Sequence, residues 1–191
     1  MPPANPAALD FLLTRRSRPA RTLGLPVPGG ADLRTILTAA ARTPDHGKLE
    51  PWRFIVLNRA ALSAMAGRVG ARGAALGLDP EKLAKTRDEY AMAHLAVIVV
   101  ASPKESDKIP LSEQTYSAGA VCLAALNAAL AAGWGANWLS GWPSRDLELT
   151  AWLGLEPHEN IAGIIHLGTE TAAPSDRPRP DIDAITTWFA P

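Results

Sequence analysis

The chain has 191 residues, 47% of them hydrophobic and 20% charged, and its formal net charge is zero. This is the profile of a soluble globular domain with a real core, and it lacks the positive field that gathers nucleic acid or an anionic membrane. A single cysteine, Cys122, excludes an intrachain disulfide and a cysteine-built zinc or iron–sulfur cluster, so a reducing cytoplasm is the expected compartment.

The opening residues show no basic-then-apolar secretory pattern, and Asp10 interrupts what might otherwise pass for an Arg- and Ala-rich transit peptide. Residues 7–14 read as a short helix with Leu9, Leu12 and Leu13 on one side, ending before Arg15-Arg16-Ser17-Arg18-Pro19. A second helix is expected over Asp32–Arg42 from the spacing of Leu33, Ile36, Leu37 and Ala40. Residues 43–47 form a loop, and Trp52–Leu57 a strand bounded by Pro51 and Asn58. Leu62–Val69 is helical by phase, and Asp79-Pro80 opens the next helix with a side-chain cap and a proline in the first turn.

Leu95–Ala101 is an unbroken apolar run, as expected for a strand covered on both faces. Ser112–Ala132 is a long helix, apolar nearly all round, which invites a partner chain. Its apolar stretch, Ala118–Ala132, is too short to span a bilayer comfortably and contains Asn127. Gly133–Gly141 then turns into a short strand, Ser144 is expected to cap a helix running to Leu153, and Ile161–Leu167 is another buried strand. Residues 172–180 read as an extended Pro-rich arm ending in Ile182, Ile185, Trp188 and Phe189, apolar residues suited to docking on a second subunit. No repeat or linker splits the chain, so residues 1–191 are expected to form one domain with 172–191 as its arm.

Residues 1–59 carry nine Lys/Arg against four Asp/Glu, which points to a local anion site. Arg15-Arg16-Ser17 has the donors for a phosphate, although a solvated basic turn would read the same way. The loop Arg42-Thr43-Pro44-Asp45-His46-Gly47-Lys48 could set fixed donors around a planar ring, while a lone histidine such as His46 also suits a purely structural bond. Gly133-x-Gly135 is no dinucleotide fingerprint, because a helix precedes it and Trp138 occupies the third glycine position. Trp134, Trp138 and Trp142 fit a core as well as a site. The four histidines lack paired metal-ligand spacing, Cys122 lies within an apolar helix, and no Walker loop or nucleophile elbow occurs, so no metal and no protein nucleophile are expected.

In order along the chain, Arg15-Arg16-Ser17, Arg42-Thr43-Pro44-Asp45-His46 with Pro51-Trp52-Arg53-Phe54, Glu113-Gln114 with Ser117-Ala118-Gly119, and Gly133-x-Gly135-x-x-Trp138-x-Ser140-Gly141 resemble the nitroreductase family. Leu167-Gly168-Thr169 adds a supporting match. The resemblance implies an α+β fold, a mostly antiparallel central sheet flanked by helices, in an intertwined homodimer. It implies FMN at the dimer interface and NAD(P)H as electron donor. Arg15, Arg16 and Ser17 would hold the FMN phosphate and ribityl chain, and Arg42 and His46 would arrive from the partner subunit. Trp138, Leu139 and Ser140 would line the isoalloxazine, and Ala128–Gly133 would approach the nicotinamide nucleotide.

The implied activity is hydride transfer from NAD(P)H through the flavin to an oxidised small-molecule acceptor such as a nitroaromatic or quinone. Arg42 or Lys48 would stabilise the reduced ring. The alternative is a non-catalytic FMN store or redox sensor. Glu50 stands where many family members have glutamine, and His46 and Lys48 replace a serine- and asparagine-rich loop, so the substrate is left open. Arg177 and Arg179 lie in the tail without a motif to assign them.

Overall fold

The seven residues of the central strand, Leu95–Ala101, are all buried, and the rest of the fold is arranged around them. This computed structural model describes residue 1 and residues 3–190. Its helices are α1 (Pro6–Thr14), α2 (Gly30–Ala40), α3 (Arg59–Ala75), α4 (Pro80–Met92), α5 (Leu111–Ala131), α6 (Leu147–Trp152) and a single turn, α7 (Ile182–Ile185). The strands are β1 (Leu23–Gly24), β2 (Trp52–Asn58), β3 (Leu95–Ala101), β4 (Gly135–Leu139) and β5 (Asn160–Glu170).

They form one five-stranded sheet in the order β1-β5-β3-β2, with β4 also paired to β5, and every pairing is antiparallel. The expectation of an antiparallel sheet flanked by helices is met. Alternation along β3 explains the layering: Leu95, Val97 and Val99 face the α2–α5 side, while Ala96, Ile98 and Val100 face the side of α3, α4 and α6. Each such Leu, Val or Ile removed from water contributes about 1.5–3 kcal/mol, so the strand with no polar face anchors both layers. β5 is the longest strand and meets β1, β3 and β4. Its pairing with β3 shifts register at Val99/Val100, leaving Ala162 as the extra residue before Gly163.

Asn5 caps α1 and Asp79 caps α4, its carboxylate accepting the Lys82 N–H at 2.9 Å. The cap expected at Ser144 is corrected. Ser144 belongs to a 3-10 turn, Trp142–Ser144, and Asp146 caps α6, accepting the Leu149 N–H at 3.0 Å. An aspartate two residues later offers the better acceptor, and Pro143 fixes the turn before it. Strand β1 was not foreseen, since two residues carry no period. Residues 172–180 form neither helix nor strand, and Trp188 and Phe189 stay more than four-fifths exposed in the single chain. Among the described residues no helix is long and apolar enough to cross a membrane.

Candidate functional site

One end of the site is built where α1 stops. The backbone leaves the helix at Arg15, and Arg18 then donates its N–H to the Ala136 carbonyl at 2.8 Å, so this segment lies along the outer edge of β4. Arg15 Nη2 donates to Ser17 Oγ at 3.0 Å, and Arg16 Nη1 to the Ser17 carbonyl at 3.3 Å. Arg18 Nε pairs with Glu170 at 3.0 Å. Arg179 from the arm reaches the Arg15 carbonyl at 3.4 Å.

Among the described residues, only Arg18 of the N-terminal trio is neutralised by a carboxylate. Arg15 Nε and Arg16 Nε are buried without partners. Burial, and then the charges of Arg179, Arg16 and Arg18, hold the Arg15 guanidinium below its ordinary value. Buried cationic donors left open are costly, and a bound anion removes that cost. Beside them is a cavity of about 290 Å³ walled by Thr14, Arg15, Arg16, Trp134 and Glu170. A phosphate-bearing group fits this donor set.

The other end lies at the far end of β4. The Ala136 carbonyl faces away from β5, and strand alternation turns the Trp138 N–H and C=O to the same free edge. A planar heterocycle with its own donor and acceptor could pair there. The Trp138 indole lies over Gly163 beside the Cys122 sulfur, in space that a Cβ on residue 163 would fill. Leu139 points between two cavities, about 370 Å³ on the side of Pro19, Arg21 and Asn137, and about 280 Å³ on the side of Ser140, Tyr90 and His166. Lys85 and Glu89 border both.

Arg42 and His46 are not brought to these residues. They lie on the loop before β2, where Gly47, Lys48 and Glu50 all have positive φ. Asp45 steadies that backbone by accepting the Glu50 N–H at 2.7 Å. Ser117 of α5 donates its hydroxyl to the Pro44 carbonyl at 2.9 Å and accepts from Trp52 Nε1 at 3.2 Å, while His46 Nδ1 stands 2.8 Å from Glu113 Oε2. Gln114 holds the backbone of Lys104 through both ends of its amide. Several motif residues are thus braces for the loop. Arg42, Asp45, Lys48 and Trp52 line a cavity of about 360 Å³ that shares no residue with those at Arg15 or Leu139.

Sequence reasoning missed Lys85, Glu89, Tyr90 and His166. For the helical ones a signal was present: Lys82, Lys85, Thr86, Glu89 and Tyr90 recur at the spacing of one helix face. Cys122 is fully buried, and burial pushes its thiol up to about 12, which leaves it inert at neutral pH. Among the described residues no cluster could hold a metal ion.

Residues 15–169 match the Nitroreductase family. The protein named "Putative NAD(P)H nitroreductase YdjA" in Escherichia coli K12 is 33% identical over 183 residues, 95% of this chain and 99% of that one. A Haemophilus influenzae protein named "Putative NAD(P)H nitroreductase" is 32% identical over 166 residues, 85% of this chain and 88% of that one. Among solved structures, a nitroreductase-like family protein from Bacillus cereus superposes with a TM-score of 0.80 at 21% identity, covering 99% of this chain and 98% of that one. A Bacteroides fragilis nitroreductase with bound FMN gives 0.75 at 23% identity, covering 97% and 100%.

Proposed function

This chain belongs to the nitroreductase family, and on that premise we propose that it is an FMN-dependent oxidoreductase. It takes hydride from NADH or NADPH and passes it to an oxidised acceptor such as a nitroaromatic or quinone. The observation that carries this reading is the pairing of two features along one strand. Open, buried arginine donors lie at one end of β4, and a free peptide edge beside a cavity lies at the other.

When bound, FMN supplies the centre that accepts and gives up hydride. Arg15, Arg16 and Ser17 hold its phosphate by charge-assisted hydrogen bonds. Trp138, Leu139 and Ser140 border the ring, with the Trp138 peptide groups fixing its polar edge. Lys85 and Arg21 line the same cavity, and cations there favour negative charge on the ring. Arg42 and His46 complete the site only across an interface, because their loop opens on a separate cavity of the same chain. The working form is therefore an intertwined homodimer of one-domain subunits, with residues 172–191 as the exchanged arm. Tyr116 and Leu123 of α5 and the exposed leucines of α1 offer apolar surface for it.

The test is an absorbance spectrum of the purified protein, followed by anaerobic addition of NADPH and of NADH. Flavin bands that bleach support the oxidoreductase. Bands that persist with both nucleotides favour an FMN store or sensor, and a protein still colourless after incubation with FMN overturns the assignment.

A further inference from the structure

Three hydrogen bonds settle the backbone of the loop before β2. Ser117 donates to the Pro44 carbonyl, Trp52 Nε1 holds Ser117 in turn, and Asp45 accepts the Glu50 N–H. A fourth contact joins two side chains, His46 Nδ1 and Glu113 Oε2, at 2.8 Å. Both are open to solvent, at 63% and 47%, and an exposed pair adds little to stability. With the backbone beneath it already held, what this contact fixes is the imidazole: the way the ring faces and the nitrogen left free.

Glu113 is itself well placed. It sits in the first turn of α5, where the helix dipole favours a carboxylate. Its neighbour Gln114 is buried and ties that turn to the segment before it, through the Lys104 N–H and carbonyl and the Ile109 carbonyl. Gly47 lets the loop come close enough: its φ is +72°, and a Cβ there would strike Ile109 Cδ1. A carboxylate accepts hydrogen bonds and cannot donate them, so the neutral imidazole of His46 carries its proton on Nδ1. Nε2 is left with a lone pair, and it has no partner among the described residues.

We propose that Glu113 is a positioning residue, which orients His46 and fixes its Nδ1–H form so that Nε2 meets the FMN of the second subunit as a hydrogen-bond acceptor. FMN has donors to match, in its ring N3–H and its ribityl hydroxyls. Arg15, Arg16 and Arg42 can only donate, so an acceptor on His46 complements them. This role rests on the reading of the chain as an FMN-binding dimer in which His46 crosses the interface.

The test uses the full chain stripped of cofactor and titrated with FMN by fluorescence. Glu113→Ala should weaken FMN about three- to tenfold, the scale of one hydrogen bond. Glu113→Gln, whose amide oxygen still accepts from Nδ1–H, should recover most of that loss. In a His46→Ala background, Glu113→Ala should have no further effect. A second measurement needs no ligand: nitrogen NMR of the imidazoles, with the His46 signals identified by their absence in His46→Ala. It should show the proton on Nδ1 in the parent and in Glu113→Gln, and on Nε2 in Glu113→Ala. An equal loss of affinity in both backgrounds would make Glu113 a brace for the loop and overturn the proposal, as would a tautomer that ignores Glu113. A parent that binds FMN no better than Glu113→Ala overturns it and leaves the oxidoreductase reading standing. A parent that binds no FMN overturns both.

Discussion

The backbone of Arg18 donates to the carbonyl of Ala136 at 2.8 Å, and this bond fixes the arginine segment to the edge of β4. Through it, the end of a surface helix and the margin of the sheet become one surface. The arginine donors are therefore held at a set distance from Trp138.

Replacing Arg16 with Ala removes one of two half-buried arginines that have no carboxylate partner among the described residues. FMN affinity should fall about 10- to 100-fold, the loss of one charge-assisted hydrogen bond of about 1.5–3 kcal/mol. Fluorescence titration of the apoprotein with FMN measures it. Unchanged affinity would remove Arg16 from the phosphate site.

Gly163→Ala tests the packing of Trp138. The added methyl would occupy the space of the indole and crowd the Cys122 sulfur, and overpacking of this kind costs about 1–3 kcal/mol. The unfolding midpoint should drop and FMN should bind more weakly, because Trp138 must move to make room. A variant as stable as the parent would show that the indole has another place to go.

Acid stability should depend on Glu159. Its carboxylate meets Arg53 Nε at 2.8 Å and Nη2 at 2.6 Å and is almost fully buried. The hydrogen bonds from Arg53 hold it down to about 2, against the ordinary 4.5, with desolvation opposing. A depressed carboxylate stabilises the fold above pH 4.5, and that stabilisation is lost as pH falls towards 2. Glu159→Gln should lower the denaturation midpoint at neutral pH and flatten this acid limb. Urea titrations at several pH values would show it, and a parallel loss at every pH would refute the assignment.

Removing residues 182–191 should shift the protein from dimer towards monomer in sedimentation velocity, with loss of bound FMN. The exposed Trp188 and Phe189 have no cover in the single chain, and apolar surface of that kind is commonly an interface. A truncated dimer as tight as the parent would take the arm out of the interface.

The parts legible in the sequence were those whose cause is local. Leu95–Ala101 announced itself because burial on both faces erases alternation, and Asp79-Pro80 because capping needs only the next few residues. Ser144 misled because Asp146 outcompetes it, a contest decided by the turn at Pro143. Arg15-Arg16-Ser17 could be read as an anion site, but the orphaned nitrogens that distinguish it from a solvated turn depend on burial against Trp134 and Glu170. His166 was invisible for the same reason. An isolated histidine within an apolar strand gives no sign of the cavity that α4 closes above it.

The place of β5 in the chain sets the order in which the molecule can be assembled. β2 and β3 can pair once about half the chain has left the ribosome, but β1 and β4 have no strand partner other than β5, at residues 160–170. Such distant pairing is slow. Until β5 arrives, β1 and β4 must wait with open edges, which exposes the nascent chain to aggregation. The surface along β4 is therefore completed last, so a ligand bound there would enter after synthesis and could not guide its early stages.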